Sequence, residues 1–296
     1  VMEVTVDHRI GEVVAVANRG QFAERNITHY HPQEIHLRVL AAPVHDSTGK
    51  LLNIIAVLQD LTDIRRLEQV RKDFVANVSH ELRTPLAAMK AQVENLLDGA
   101  LEDKELAVRF LQGVNSEIDR LACLVRDLLD LSRLEAGKVI FKKVKFKLVD
   151  AVTDQLNKVI PWWQSENKDT SRIMVNIPED LTLKTDEAAF RQVLTNLVTN
   201  AVEYTPPDGE IKITATKTNE YIQLEVADTG KGIPEQELPR IFERFYRVEK
   251  HRSRKISGGS GLGLSIVKHL MEAMGGKISV TSREGEGSNF ICRWPV

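Results

Sequence analysis

Apolar positions in the middle of the chain repeat with the period of two long helices. In each helix they recur in steps of three and four, which is the spacing of a helix with one apolar face. The first predicted helix covers residues 64–97 and ends before Gly99; its stripe is Leu67, Val70, Phe74, Val78, Leu82, Leu86, Met89 and Val93. The second begins near Asp103 and ends near Glu135; its stripe is Leu106, Phe110, Val114, Ile118, Leu121, Val125, Leu128, Leu131 and Leu134.

Two such helices joined by a short loop predict an antiparallel hairpin. One hairpin covers only part of each stripe, so we expect a second copy of the chain to complete a four-helix bundle. The protein is therefore predicted to be a homodimer. The alternative is that both stripes pack on another domain of the same chain.

The side chain of His80 is predicted to lie outside the first stripe. At about 100° per residue it is about 200° around the helix axis from both Val78 and Leu82. Thr84, four residues on, shares its face. Pro85 has no N–H to give to the carbonyl of Glu81 and should kink the helix. An exposed helical histidine is by itself usually a solvated side chain, so its role depends on the rest of the chain.

The pattern of the residues before these helices predicts an α+β fold. A helix is predicted at Val6–Asn18, and strands at Glu34–Pro43 and Leu51–Asp60 are joined by a turn at 46–50. Thr62 or Asp63 could cap the helix that follows. Residues 60–63, Asp-Leu-Thr-Asp, stand directly before this helix and resemble the end of a PAS sensor domain. The segment therefore resembles the C-terminal half of such a domain.

After Gly137 the pattern predicts an α/β sandwich, with a mixed sheet and helices on one face. Helices are predicted at 149–159 and 186–202, and Trp162 and Trp163 are predicted to be packing residues. The predicted strands are Val139–Leu148, Arg172–Ile177 and Leu181–Lys184, followed by two hairpins, Glu210–Thr216 with Tyr221–Ala227 and Gly276–Ser282 with Ser288–Trp294.

Composition excludes several classes of protein. A net charge of −2 in 296 residues argues against a nucleic-acid partner. The two cysteines, Cys123 and Cys292, fit neither a disulfide framework nor a zinc site. His29, His31, His36 and His45 show no metal-ligand spacing. No signal peptide or membrane-spanning run is present, so we expect the cytoplasmic portion of a membrane-anchored sensor, with any anchor in segments outside this chain.

Residues 79–86, Ser-His-Glu-Leu-Arg-Thr-Pro-Leu, resemble the phosphoacceptor box of sensor histidine kinases. Neutral imidazole is a competent nucleophile near pH 7. The resemblance implies that His80 receives the phosphoryl group of ATP and that Glu81 accepts its Nδ1 proton. It also implies that Thr84 orients a water molecule for dephosphorylation of the partner regulator.

Four later runs resemble the boxes of the GHKL ATPase superfamily, which includes histidine kinases and the gyrase B subunit. They are residues 196–201, 228–233, 241–247 and 258–265, in the family's order. In the first run, Asn196 and Asn200 share one helix face, and amide oxygens suit Mg²⁺. The resemblance makes Asn200 the metal ligand and places Asn196 beside it at the phosphates.

The other three runs divide the remaining roles. The acceptor-only carboxylate of Asp228 suits the adenine amine. Arg244 and Arg247 flank the apolar residues of an expected lid hinge in the third run, and the fourth opens a helix whose N–H groups favour phosphate. The residues assigned to nucleotide are Asn196, Asn200, Tyr204, Asp228, Gly230, Gly232, Arg244, Arg247, Gly259, Gly261, Leu262 and Gly263.

Rival phosphate motifs are excluded by spacing. No lysine follows the glycine run as a Walker A loop requires, and its glycines do not have the Rossmann spacing. The resemblance covers about residues 66–296 and is nearest to membrane sensor kinases of the phosphate-regulon type. In one departure, Glu203 stands before Tyr204 where the family usually has lysine.

These observations predict a multidomain α+β protein: a partial PAS-like segment at 1–63, a hairpin at 64–136 that forms a dimeric four-helix bundle, and a Bergerat-type α/β sandwich ATP-binding domain at 137–296. The expected activity is ATP- and Mg²⁺-dependent autophosphorylation of His80 with transfer to an aspartate of a response regulator receiver domain, and phosphatase activity on that regulator. The alternatives are a GHKL ATPase whose helices only transmit conformational change, or a phosphatase-dominant or non-catalytic scaffold in which Glu203 weakens nucleotide binding.

Overall fold

The structure is a computed structural model that describes residues 7–30, 34–165, 169, 172–248 and 260–296, with only the backbone of Trp162 and Ser165. The chain divides into two compact units, Val1–His80 and Glu81–Val296. The three domains expected from the sequence stay a prediction. His31 lies outside the described residues.

The first unit contains a helix and a three-stranded antiparallel sheet. The helix is α1 (His8–Ala17), and the sheet has the order β1 (Ala23–His29), β2 (Ile35–His45) and β3 (Leu51–Asp60). The sequence pattern predicted α1, β2 and β3 but missed β1. The reason is that only Ile27 of β1 is buried, so the strand shows no apolar alternation.

The core of this unit lies between α1 and one face of the sheet. Its buried members are Ile10, Val13, Ala17, Ile27, Leu37, Val39 and Ala41. Strand β3 forms one edge of the sheet. Large apolar side chains remain exposed on β3, namely Leu52, Ile55, Val57 and Leu58.

A continuous helix, α2 (Thr62–Leu97), passes through Pro85. Its first turn is held by Asp60, whose Oδ1 accepts the N–H of Thr62 at 2.8 Å. The Thr62 hydroxyl instead accepts the N–H of His36 at 2.9 Å. The side chain that accepts the first N–H of the helix is therefore Asp60, two residues before Thr62, and not Thr62 or Asp63. His80 is exposed on α2, as predicted, and the kink at Pro85 stays a prediction.

The second long helix, α3 (Lys104–Glu135), ends where the sequence predicted. Asp103 caps it by accepting the N–H groups of Glu105 and Leu106 at 3.0 and 3.1 Å. Much of both apolar stripes stays exposed in the described part of the chain, at Leu67, Val70, Leu86, Val93, Leu106, Ile118 and Val125. Packing on another domain of the same chain therefore does not account for these positions.

The rest of the second unit is an α/β sandwich. Its elements are β4 (Lys143–Lys147), α4 (Leu148–Ser165), β5 (Ile173–Asn176), β6 (Thr182–Asp186), α5 (Glu187–Tyr204), β7 (Ile211–Lys217), β8 (Tyr221–Asp228), α6 (Gly263–Ala273), β9 (Lys277–Arg283) and β10 (Gly287–Pro295). The main sheet has the order β5-β7-β8-β10-β9, parallel between β5 and β7 and antiparallel elsewhere. Strands β4 and β6 form a separate antiparallel pair.

Two predicted boundaries in this sandwich were wrong. The strand expected at Val139–Leu148 is only β4, because its partner β6 pairs with Lys143–Lys147 alone and Ile140 is 88% exposed. Helix α4 also continues beyond the expected end at 159, through Pro161 to Ser165.

The core of the sandwich lies under α5, whose predicted apolar face is buried throughout. The buried residues are Phe190, Val193, Leu194, Leu197, Val198 and Ala201. Trp163 is fully buried and donates its indole N–H to the carbonyl of Asp169 at 3.0 Å, which confirms its packing role. Among the described residues, no helix combines the length and the apolar character that crossing a membrane requires.

Candidate functional site

A cavity of about 570 Å³ in the second unit collects residues from all four nucleotide-like runs. Its wall is formed by α5, the end of β8, the segments around 231–233 and 246–248, the start of α6, and parts of α2 and α3. The predicted residues on the wall are Asn196, Asn200, Tyr204, Asp228, Gly232, Arg247, Gly261 and Gly263, together with Glu81.

Asn196 and Asn200 face the cavity from successive turns of α5. Asp186 starts this helix by accepting the N–H of Ala189 at 2.9 Å. The Asn196 amide N–H donates to the carbonyl of Gln192 at 3.1 Å, which directs Oδ1 away from that carbonyl. Any Cβ at Gly263 would lie 3.0 Å from this Oδ1, so glycine allows the start of α6 to approach the asparagine closely.

Asp228 ends β8 at the cavity and is 9% exposed. Its Oδ1 accepts the N–H of Gly230 at 2.9 Å. Burial raises the pKa of the Asp228 carboxyl, while hydrogen bonds from the backbone of Gly230 and Ser288 act in the opposite direction. The result is a buried acceptor on the cavity wall, which matches the chemistry expected for an adenine amine.

A backbone hydrogen bond joins the 241–247 run to Gly261 of the glycine run. The N–H of Phe245 donates to the carbonyl of Gly261 at 3.0 Å. Both residues have positive φ, +61° for Phe245 and +68° for Gly261. A Cβ at Gly261 would lie 2.8 Å from the Phe245 backbone, so both the dihedral and the close approach require glycine.

Glu203 lies half-buried on the cavity wall beside Tyr204. Burial raises the pKa of its carboxyl, and the positive charges of Arg247 and Lys231 oppose that rise. The Lys231 ammonium also lies 4.7 Å from the centroid of the Tyr204 ring. The anion that replaces the expected lysine is therefore turned toward the cavity and near two cations.

Several predicted site residues lie elsewhere. Among the described ones, Gly230, Arg244 and Leu262 are off the cavity wall; the Leu262 side chain is fully buried, and Arg244 is paired with Glu135. His80 and Thr84 are exposed on α2. Gly258 and Gly259 lie outside the described residues.

Sequence reasoning missed the part of the wall that α3 supplies. Glu117, Arg120, Cys123 and Asp127 line the cavity from this helix. Arg120 lies between two carboxylates, 4.0 Å from Glu81 and 3.7 Å from Glu117. The polar residues of α3 were the available signal, but in the sequence they cannot be distinguished from solvent-exposed side chains until the helix is packed.

The described residues contain no cluster of three or more His, Cys, Asp or Glu side chains able to hold a metal ion. The amide oxygens of Asn196 and Asn200 instead offer neutral oxygen donors at the cavity, which fit a hard cation that keeps most of its water.

The sheet is mixed, and helices pack beside it. The cavity has paired asparagines, a buried aspartate and a helix start flanked by glycines. Together these features define an ATPase-type nucleotide-binding domain next to a helical hairpin. Residues 185–296 match the family model described as Histidine kinase-, DNA gyrase B-, and HSP90-like ATPase. Residues 70–137 match the His Kinase A (phospho-acceptor) domain. The chain belongs to the sensor histidine kinases of two-component systems.

The curated relatives of the chain are sensor kinases as well. The sensor histidine kinase WalK of Bacillus subtilis is 37% identical over 262 residues, which cover 88% of this chain and 42% of that protein. The sensor protein kinase WalK of Staphylococcus saprophyticus is 38% identical over 262 residues, with 87% and 42% coverage. The chain thus spans less than half the length of these relatives.

Two solved structures are similar over most of the chain. The histidine kinase ThkA in complex with the response regulator protein TrrA is 26% identical, with a TM-score of 0.61, over 97% of this chain and 83% of that chain. Full-length ShkA in complex with AMPPNP is 29% identical, with a TM-score of 0.54, over 75% of this chain and 45% of that chain.

Proposed function

We propose that this chain is an ATP-dependent protein histidine kinase that phosphorylates itself on His80 and passes the phosphoryl group to an aspartate of a response regulator. The observation that carries the proposal is the convergence of four separated runs on one cavity of about 570 Å³. That volume suits a ligand of nucleotide size. ShkA, a similar structure, holds AMPPNP, which agrees with an adenine nucleotide as the ligand.

The nucleotide roles follow from the wall of the cavity. Asp228 would accept the adenine amine, and Asn196 and Asn200 would face the phosphates. Asn200 would be a ligand of Mg²⁺, which supplies positive charge to offset the phosphates. Among the described glycines, Gly261 and Gly263 bring the start of α6 to the same cavity, where its N–H groups favour anions.

The chemistry at His80 is a simple displacement. Nε2 of the imidazole attacks the γ-phosphorus, a P–N bond forms, the P–O bond to ADP breaks, and Glu81 takes the proton from Nδ1. Exposure of His80 on α2 supports this role because both an ATP-bearing domain and a regulator must reach it. Thr84, exposed one turn later, would orient water when the regulator is dephosphorylated.

Partners follow from the surface and from the relatives. The exposed stripe residues of α2 and α3 support a homodimer through a four-helix bundle. The structure of ThkA with TrrA supports a receiver domain as the second partner. We further propose that the first unit is the C-terminal part of a PAS-like sensor, and that the chain works in the cytoplasm as part of a larger sensor.

Incubation of the full chain with γ-labelled ATP and Mg²⁺ tests the proposal. Label should appear on the protein, be released by acid and resist base. His80→Gln should abolish it and leave ATP binding intact. His8→Gln is a matched control, because its side chain is 82% exposed on another helix, and should label normally.

Each alternative has its own result. Hydrolysis of ATP without labelled protein would identify an ATPase whose helices only transmit conformational change. Dephosphorylation of a phosphorylated regulator, without labelling by ATP, would identify a phosphatase-dominant protein. Acid-labile label that persists in His80→Gln would refute the assignment of His80.

A further inference from the structure

Arg120 links helix α3 to helix α2 at the wall of the nucleotide cavity. One terminal nitrogen of its guanidinium, Nη2, lies 4.0 Å from Oε2 of Glu81 on α2. The other, Nη1, lies 3.7 Å from Oε2 of Glu117 on its own helix. All three side chains line the cavity. The arginine is therefore placed to hold the Glu81 carboxylate at the cavity from the opposite helix.

Partial burial strengthens these contacts relative to a pair on an open surface. The side chains of Arg120, Glu81 and Glu117 are 32%, 27% and 25% exposed. Water and salt screen partly buried charges less than they screen fully exposed ones. The three charged groups therefore restrict one another's positions.

Glu117 keeps Arg120 on the wall. The Oε2 atom of Glu117 is buried and accepts no hydrogen bond from any described residue. A buried carboxylate oxygen is costly without a counter-charge, and Arg120, three residues later on α3, supplies that charge. Of the described residues that α2 and α3 contribute to the wall, Arg120 is the only cation. Glu117 thus fixes the guanidinium at the position from which it reaches Glu81.

The role proposed for Glu81 requires a group that orients it. Glu81 follows His80 directly on α2, and the side chains of adjacent helical residues point about 100° apart. A carboxylate that accepts a proton from the neighbouring imidazole must therefore be held in a suitable rotamer. In many enzymes a third group orients the base that serves a nucleophile. Arg120 contacts Glu81 and can supply this orientation.

We propose that Arg120 is a positioning residue for autophosphorylation, which orients the Glu81 carboxylate for removal of the Nδ1 proton of His80. The inference rests on the proposed function, because it needs Glu81 to be the base in that reaction. The Nδ1 proton passes to the Glu81 carboxylate as Nε2 forms its bond to phosphorus and ADP leaves. Arg120 exchanges no proton and acts through its charge and its two terminal nitrogens.

The first test separates the rate of phosphoryl transfer from nucleotide binding. In full-chain Arg120→Gln, the initial rate of labelling at saturating γ-labelled ATP should fall about 10- to 100-fold, which is less than the full contribution of a general base. MgATP affinity in calorimetry should stay within about 2-fold, because the guanidinium is already committed to two carboxylates. Arg120→Lys keeps the charge and should recover part of the rate. Arg109→Gln is the matched control: this arginine is exposed on the same helix away from the cavity wall, and its replacement should change neither quantity.

A double-substitution cycle tests whether Arg120 acts through Glu81. Glu81→Gln should itself slow labelling. Arg120→Gln added to Glu81→Gln should slow it by no more than about a further 2-fold, because the group to be oriented is already lost. Melting curves verify that each variant is folded, and if Arg120→Gln does not fold, the cycle is made with Arg120→Lys.

Three results overturn the positioning role alone. The first is unchanged or faster labelling in Arg120→Gln, which would mean that the pair does not support Glu81 or restrains it. The second is a loss confined to MgATP affinity, which would make Arg120 a ligand of the nucleotide. The third is a double variant in which the two losses multiply. Absence of labelled protein with the unsubstituted chain overturns the positioning role and the proposed function together.

Discussion

Glu203 offers the sharpest test of the electrostatics of the cavity. The perturbation is replacement of its carboxylate by glutamine, which keeps the shape, or by lysine, which restores the residue usual in the family. Glu203 is half-buried on the wall, and Lys231 and Arg247 are the cations that act on it. Two effects of the substitution therefore oppose each other: loss of repulsion toward ATP and loss of attraction for these cations.

The repulsive effect sets the expected size. A unit charge about 8 Å from a phosphate charge, at an effective dielectric constant of about 40, contributes about 1 kcal/mol. Loss of the carboxylate should thus tighten MgATP binding up to about 5-fold. Lysine changes the charge by two units, but its ammonium is also repelled by Lys231 and Arg247. We therefore expect Glu203→Lys to tighten binding no more than Glu203→Gln does.

Calorimetry at two salt concentrations measures this effect. The gain for MgATP should be larger at low ionic strength, because salt screens the interaction. Adenosine, which carries no phosphate, should bind all three proteins equally. Unchanged or weaker MgATP binding in both variants would refute the reasoning and would mean that Glu203 serves to position Lys231 and Arg247.

Four further outcomes are expected. Asp228→Asn should lower the affinity for adenine nucleotides about 10- to 100-fold, because that is the contribution of a hydrogen bond to a charged group. Unchanged affinity in a titration would exclude the adenine role of Asp228. Asn200→Asp should suppress labelling of the protein by γ-labelled ATP. Gly261→Ala should cost about 1–3 kcal/mol of unfolding free energy, because φ is positive and Phe245 is close, and a melting curve like that of the unsubstituted protein would contradict this. Light scattering at micromolar concentration should give the mass of a dimer. The mass of a monomer would refute the inference that the exposed stripes of α2 and α3 form a dimer interface.

The raised pKa of Glu203 also predicts how stability depends on pH. A carboxyl whose folded pKa lies above its unfolded pKa favours folding when protonated and loses that contribution as pH rises through the folded value. Glu203→Gln should therefore gain stability over the unsubstituted protein as pH rises from below the unfolded pKa to neutral, by about 1 kcal/mol or less because the group is partly solvated. Denaturant unfolding at the two pH values checks the sign, and an equal difference at both would contradict it.

The sequence by itself determined the elements whose pattern is local. Helix α5 could be read from its apolar period, and the same spacing placed Asn196 and Asn200 on one face. The hairpins of the sandwich were also predicted. In strands such as β8, buried and exposed positions alternate, so the two faces of the strand can be read from the sequence. The exposure of His80 followed from its angle to the stripe of α2. Such features depend on residues a few positions apart, so periodicity is enough to find them.

Tertiary structure alone decided the features that join distant positions. Strand β1 exists because β2 pairs with it, although its own residues are mostly polar. The nucleotide cavity gained a wall from α3, and Asp127 meets Ser260 across 133 positions of the chain. A carboxylate on a helix surface looks the same in sequence whether it faces water or an arginine. Only the packing of α3 against the sandwich determines that Glu135 faces Arg244, because the energy of such a pair depends on distance and solvent exposure, which sequence spacing does not record.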